Sequence, residues 1–381
     1  MISFFNGIES WLVEVKENFI YLPTFIQGAI LVSLIAITGI LIAYLNILLL
    51  LVVKYFQDRR DGPVIDQIDA LLLEHIVQRD ISEEKLPLAL GEFQQLPLHH
   101  SWARELLVQK ILHYRRNFSG YVSDLARTLY IDLRLSRDAR HKLSSSRSKK
   151  IVEGLGELFR MEMTVEEKEV LPLVNHRDRY VREMARCYFA KCSAEHPMDF
   201  LQEISKPLLT WEQVELFRLI TQRTDIPAPS FARWIDPAMH PSVISFSLKL
   251  AAHFHQFDAI PAMISMLKTD NLEQRALAIN SLGKLMALEA EPELVKIYAD
   301  QPLSCKKEIL KALGRIGSGN QLEFLRQQFL ESEEFDLKKH AAKSIVNHKA
   351  LAQLMLKQLQ EQSVGQPHII LQHCLNPLIK Y

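Results

Sequence analysis

The chain has 381 residues with 45 basic and 45 acidic side chains, so its overall charge selects neither nucleic acid nor an acidic ligand. An apolar content of 48% supplies a large core and excludes long disorder. Alternating apolar and polar runs of the strand type are scarce, which leaves an all-α chain.

The first predicted element is an amphipathic helix within residues 1–22. Phe4, Phe5, Ile8, Trp11, Leu12, Val15 and Phe19 share one helical face, while Asn6, Glu9, Ser10, Lys16 and Glu17 occupy much of the other. The pattern fits a helix lying in a membrane interface or, because its polar face is acidic, one docked on a partner. Pro23 separates it from the next element.

Residues 23–54 read as a transmembrane helix. From Phe25 to Val53 only Gln27, Ser33, Thr38 and Asn46 are clearly polar. At about 1.5 Å per residue this stretch exceeds a hydrocarbon core of about 30 Å. No basic segment precedes it and no small-residue cleavage site ends it, which argues against a removable signal peptide. Lys16 alone precedes the span, whereas Lys54, Arg59 and Arg60 follow it closely. The positive-inside rule then predicts a single-pass inner (cytoplasmic) membrane protein, its N-terminus outside and its C-terminal part cytoplasmic. Ala29, Ser33, Ala36 and Ala43 fall on one face, with Gly39 at its edge and Asn46 nearby. Such a stripe lets a second membrane helix approach closely and accept a hydrogen bond, which implies a membrane-protein partner.

Residues 55–100 read as a helical linker and 101–165 as degenerate or capping helical repeats. The latter stretch carries a basic block: Arg115, Arg116, Arg127, Arg134, Arg137, Arg140, Lys142, Arg147, Lys149 and Lys150. Glu105, Asp124, Asp132 and Asp138 oppose it. Near the anchor in sequence, these cations suit anionic lipid headgroups; the competing reading is a solvated face with a Ser/Arg loop at Leu143–Lys150. Acidic runs follow at Glu162–Glu169 and Glu331–Asp336.

Residues 166–381 pair a shorter helical segment with a longer one. Examples are Ala259–Lys268 with Asn271–Met286, Glu293–Ala299 with Leu303–Ile316, and Gln321–Leu330 with Glu334–Val346. Leu250, Leu282, Leu313 and Ile345 recur 32, 31 and 32 positions apart, and Val181 and Val243 fit two such periods with Val214 near the midpoint. A fixed period of this size predicts a solenoid, each helix pair burying its apolar stripe on its neighbours.

The segment from Asp178 through Val181 and Arg182 to Ala185 resembles the HEAT-repeat core, an acidic turn followed by Val-Arg and a small residue. Asn271 to Ala276, running on to Leu282, Gly283 and Leu285, is similar to the short HEAT repeats of the armadillo-like, phycobilin-lyase type. Leu313, Gly314, Ile316 and Gly317 repeat that ending. The resemblance implies a right-handed α-solenoid of HEAT-like pairs after one N-terminal transmembrane helix, a build similar to that of bacterial membrane-bound HEAT proteins. It carries no lyase chemistry, because a repeat alone holds no catalytic residue.

No enzyme motif stands out. Gly314, Gly317 and Gly319 follow no strand and precede no Lys-Ser/Thr, so they read as a helix terminus and turn. His253 and His255, His99 and His100, and His373 with Cys374 lack metal-ligand spacing. Cys187, Cys192, Cys305 and Cys374 read as small core residues of a reducing compartment. The expected function is a non-catalytic, cofactor-free scaffold whose solenoid binds a protein partner. A regulatory or assembly subunit of a membrane enzyme or transporter, such as an envelope glycan synthase, is the second reading. Nucleic-acid binding through the basic block ranks last, given the neutral chain.

Overall fold

The computed structural model describes residues 19–78, 90–376 and 378; the predicted amphipathic helix lies outside the described residues apart from positions 19–22. No strand occurs among the described residues. The chain divides into two compact units, Met1–Leu133 and Arg134–Tyr381. That boundary falls inside the 101–165 segment that the sequence suggests is one piece.

In the first unit, α1 spans Thr24–Leu72, 49 residues without interruption. It runs on past residue 54, so the predicted helical linker begins as the same helix. Its apolar part is covered by nothing among the described residues: Leu31, Val32, Leu41, Leu45 and Leu50 are each more than half exposed. The core helix of a water-soluble domain would have this surface buried. Beyond Val53 the composition changes to Lys54, Asp58, Arg59, Arg60 and Asp61 while the helix continues, with Pro63 costing it one backbone bond.

Its far end is a packed element. Ile68 and Leu72, with Ile76 just beyond, are fully buried against α2 (Leu90–Phe93), α3 (Ser101–Asn117) and α4 (Tyr121–Asp132). Lys110 of α3 pairs with Asp69 of α1 at 2.6 Å. The Arg60 guanidinium lies over the Trp102 ring, 4.2 Å from its centroid.

The second unit runs α5 (Ser136–Leu143), α6 (Ser148–Met161), α7 (Glu167–Val170), α8 (Arg179–Cys192), α9 (Thr210–Gln222) and α10 (Pro241–His253). It continues with α11 (Ile260–Ser265), α12 (Leu272–Lys284), α13 (Glu291–Ile297), α14 (Leu303–Ile316), α15 (Leu322–Glu331) and α16 (Phe335–Asn347). It closes with α17 (Gln353–Gln362) and α18 (Gln366–Leu375). The long helices α6, α8, α9, α10, α12, α14, α16 and α18 each start 31 or 32 residues after the one before. On either side of α9 the short partner helix shrinks to 3-10 turns, Asp199–Glu203 and Ala232–Trp234.

Long helices stack side by side, α6 on α8 on α9 and α10 on α12 on α14 on α16 on α18, over one continuous core. This is a HEAT-like solenoid, built by the nearest-neighbour burial that the period predicts. Helix starts follow the HEAT pattern. Asp178 accepts a bond from the Tyr180 N–H, and Asn271 accepts from those of Glu273 and Gln274. The fourth helical residue of α8 and α12, Arg182 and Arg275, reaches back to the carbonyls of His176 and Thr269. In the first unit Arg104 does the same to Leu98, which marks α3 as a helix of the same type.

The structural register corrects two sequence alignments. The third residue of successive long helices is Val181, Glu212, Val243, Gln274, Cys305 and Leu337, all buried. Val214, the expected equivalent of Val181, is instead 53% exposed. Likewise Ala251, rather than Leu250, aligns with Leu282, Leu313 and Ile345. Polar members of the buried column are satisfied: Gln274 and Cys305 donate to the carbonyls of Pro241 and Leu272, the first residues of the preceding long helices.

Small residues set the closest packing. A Cβ on Gly283 would sit 2.6 Å from Ala312 Cα, and one on Gly314 would sit 2.7 Å from Ser344 Cα. Gly314 is therefore a helix-contact residue. Gly317, at φ 68°, ends α14 in the left-handed region, as its sequence position suggests.

Candidate functional site

The stack turns one row of side chains outward from each long helix, and the character of that row changes along the second unit. At α8 and α9 the second residues are Tyr180 and Trp211, 72% and 71% exposed in an otherwise well-packed stretch. They border a groove of about 260 Å³, floored by Phe159 of α6 and by Met184 and Cys187 of α8. Glu183 and Glu215 stand at its edge.

The carboxylates that line the groove are each held by an arginine. Arg179 holds Glu183 at 2.6 Å, and Arg218 holds Glu215 at 2.9 Å. The Arg218 hydrogen bond keeps the Glu215 carboxyl below its ordinary range. Burial, followed by the nearby carboxylates of Glu215, Glu212 and Glu183, pushes the Cys187 thiol up to about 12. Lys191 covers one end, 4.6 Å from the Phe159 ring centroid. Aromatic faces beside carboxylates suit a segment that presents both apolar and cationic side chains.

Farther along, the ninth residues of α14 and α16 are Lys311 and Lys343, and the thirteenth residue of α14 is Arg315. With Lys339 and His340 they line a second depression of about 320 Å³. Neither depression has a local sequence signature, because each combines residues from helices about one repeat apart.

The residues singled out from sequence fare differently. Ala29, Ser33, Ala36, Gly39, Ala43 and Asn46 are all exposed on α1, and a Cβ at Gly39 would meet nothing. Within the helix, Ser33 donates to the Ala29 carbonyl and the Asn46 amide to that of Ile42, at 2.9 Å.

The basic block is divided. Arg115, Arg116 and Arg127 belong to the first unit, and Arg134, Arg137, Arg140, Lys142, Arg147, Lys149 and Lys150 to the second. Several of its cations already face carboxylates: Arg140 grips Glu169 with two nitrogens, Lys142 reaches Glu157 and Lys149 reaches Glu153.

Of the histidines, His253 packs edge-on against Phe217 at 4.7 Å, and the rings of His99 and His100 lie 4.0 Å apart. Spacing did not reveal Glu74, His75 and Glu92, whose ligand atoms lie within 4.8 Å of one another. His75 and Glu92 already form a 2.9 Å contact there. All four cysteines are free, and Cys192, Cys305 and Cys374 are buried.

No protein-family model and no curated protein matches the chain. Among solved structures, it is similar to the complex of CpcE and CpcF of phycocyanin lyase from Nostoc sp. PCC7120. That match has 14% identity and a TM-score of 0.29, covering 56% of this chain and 76% of the other. An engineered protein matches at 14% identity and a TM-score of 0.32, over 84% of this chain and 89% of its own.

Proposed function

We propose that the chain is a non-catalytic, membrane-anchored scaffold. The apolar part of α1 spans the membrane with its N-terminus outside, and the solenoid binds a protein in the cytoplasm. The observation that carries this reading is the pair Tyr180 and Trp211, each more than two-thirds exposed beside the groove of an otherwise compact stack. Large aromatics fixed on rigid helices act as anchors for a partner, because little side-chain freedom is lost on binding. The partner segment presents apolar side chains to the rings, and any cation it carries competes with Arg179 and Arg218 for Glu183 and Glu215.

On this reading the small-residue face of α1, from Ala29 to Ala43, packs on a membrane helix of a second protein. The uncovered apolar surface of α1 supports the anchor, and the basic residues that follow Val53 support its orientation.

The test is co-purification of the full-length chain in mild detergent, read by mass spectrometry, for wild type and for Tyr180→Glu/Trp211→Glu. The double variant is expected to lose a cytoplasmic partner and keep a membrane one. An unchanged set of partners would refute the groove as the recognition surface.

A further inference from the structure

The depression between α14 and α16 has a composition that stability alone disfavours. Its lining includes Lys311, Arg315, Lys339, Lys343 and His340, with Ser344 and Asn347, and holds no carboxylate. Lys311 and Arg315 are four residues apart on one helix, as are Lys339 and Lys343 on the next. Each is a like-charge pair on a single helix face, which is unfavourable by itself. The close approach of Gly314 to Ser344 draws the two pairs together.

Two carboxylates stand close to this lining. Glu308 pairs with Lys311 but also accepts from Asn280 at 2.7 Å, and Asp336 pairs with Lys307, outside the lining, at 3.2 Å. His340 registers the resulting potential. Burial first, then the charges of Lys311 and Lys339 with a smaller push from Lys307, hold it below its ordinary range, against the opposing pull of Asp336.

We infer that this depression is a binding site for a phosphate monoester or pyrophosphate group. Four fixed cations around about 320 Å³ suit a compact, multiply charged anion, and the volume lies at the small end of ligand pockets. The Arg315 fork offers two parallel donors to phosphate oxygens, and the lysines add point charges. This site is separate from the aromatic groove, so it stands or falls independently of the scaffold reading. The same chemistry is carried by free small molecules and by lipid headgroups.

The test is calorimetric titration of the full-length protein in neutral detergent with pyrophosphate. A parallel arm uses micelles doped with phosphatidic acid. Saturable binding at one site per chain is expected, weakened about tenfold or more in Arg315→Gln and in Lys343→Gln. Lys284→Gln, on α12 outside the depression, is expected to bind as wild type. Binding of pyrophosphate would assign the site to soluble phosphates. Binding of phosphatidic acid alone, with the same dependence on Arg315 and Lys343, would assign it to headgroups. No saturable binding in either arm, or equal weakening by Lys284→Gln, would overturn the proposal.

Discussion

Arg186 of α8 and Glu212 of α9 form an ion pair in which one guanidinium nitrogen lies 2.9 and 3.0 Å from the two carboxylate oxygens, each side chain being 1% exposed. In α6, α10 and α14 the eighth residue is a buried leucine, Leu155, Leu248 and Leu310, where Arg186 stands in α8. The pair is fully engaged: Arg186 also donates to the carbonyls of Val174 and Lys206, and Glu212 accepts from the Leu209 N–H. Removing one partner strands a buried charge, so Arg186→Met is expected to cost about 3–5 kcal/mol in urea unfolding. Arg186→Met/Glu212→Met should recover most of that, leaving about 1 kcal/mol for the lost cap of α9. A double variant as unstable as the single one would contradict this account.

Two glycines on long helices should respond to alanine with opposite signs. At Gly314 the new methyl would collide with Ser344, backbone included, so Gly314→Ala should lower stability by about 1–3 kcal/mol. At Gly156 the nearest atom is the end of the Arg160 side chain at 3.5 Å, so Gly156→Ala should raise stability by about 0.5–1 kcal/mol. Thermal unfolding of the two variants side by side reads both signs.

Cys187 gives a pH signature. Its thiol titrates near 9.0 when unperturbed and at about 12 in the folded chain. Between those values the native state keeps a proton that the unfolded state releases, so stability falls as pH rises through this window and is unaffected below it. Alkylation of Cys187 by iodoacetamide in the folded protein should be slow near pH 8 and speed up about tenfold per pH unit above it. Rapid labelling near pH 8 would mean that the groove opens.

Leucine at Ala36 and Ala43 tests the membrane contact. Both positions are exposed on α1 and remain apolar after the change, so insertion should be unaffected. Two added isobutyl groups would hold a neighbouring helix away, and a co-purifying membrane protein should be lost in detergent. Retention of the same partner by Ala36→Leu/Ala43→Leu would place the contact elsewhere.

Helix pairs such as α15 with α16 were legible because their apolar stripes must recur wherever a neighbour covers them. The repeat around α9 was obscured for two physical reasons. Its short helices are reduced to 3-10 turns, and Glu212 replaces an apolar residue in the buried column, satisfied by an arginine 26 residues away. Composition marks where the surroundings of α1 change near residue 54, and the backbone bonds carry the same helix through that change into the helical linker. The basic block looked more weakly opposed than it is because Glu169, which pairs with Arg140, lies 29 positions downstream. Tyr180 and Trp211 belong to no motif, and only the register turns them outward.

One consequence of α1 concerns angle rather than distance. From Ala36 to Asp69 the backbone is one helix, so the azimuth of the small-residue face fixes that of the face that grips α3 through Asp69 and Lys110. Each residue advances that azimuth by about 100°. One alanine inserted after Val53 would swing α3 by about that angle while leaving both ends chemically intact; four would nearly restore it. Whatever grips the apolar end of this chain therefore sets the compass bearing of the first helical unit.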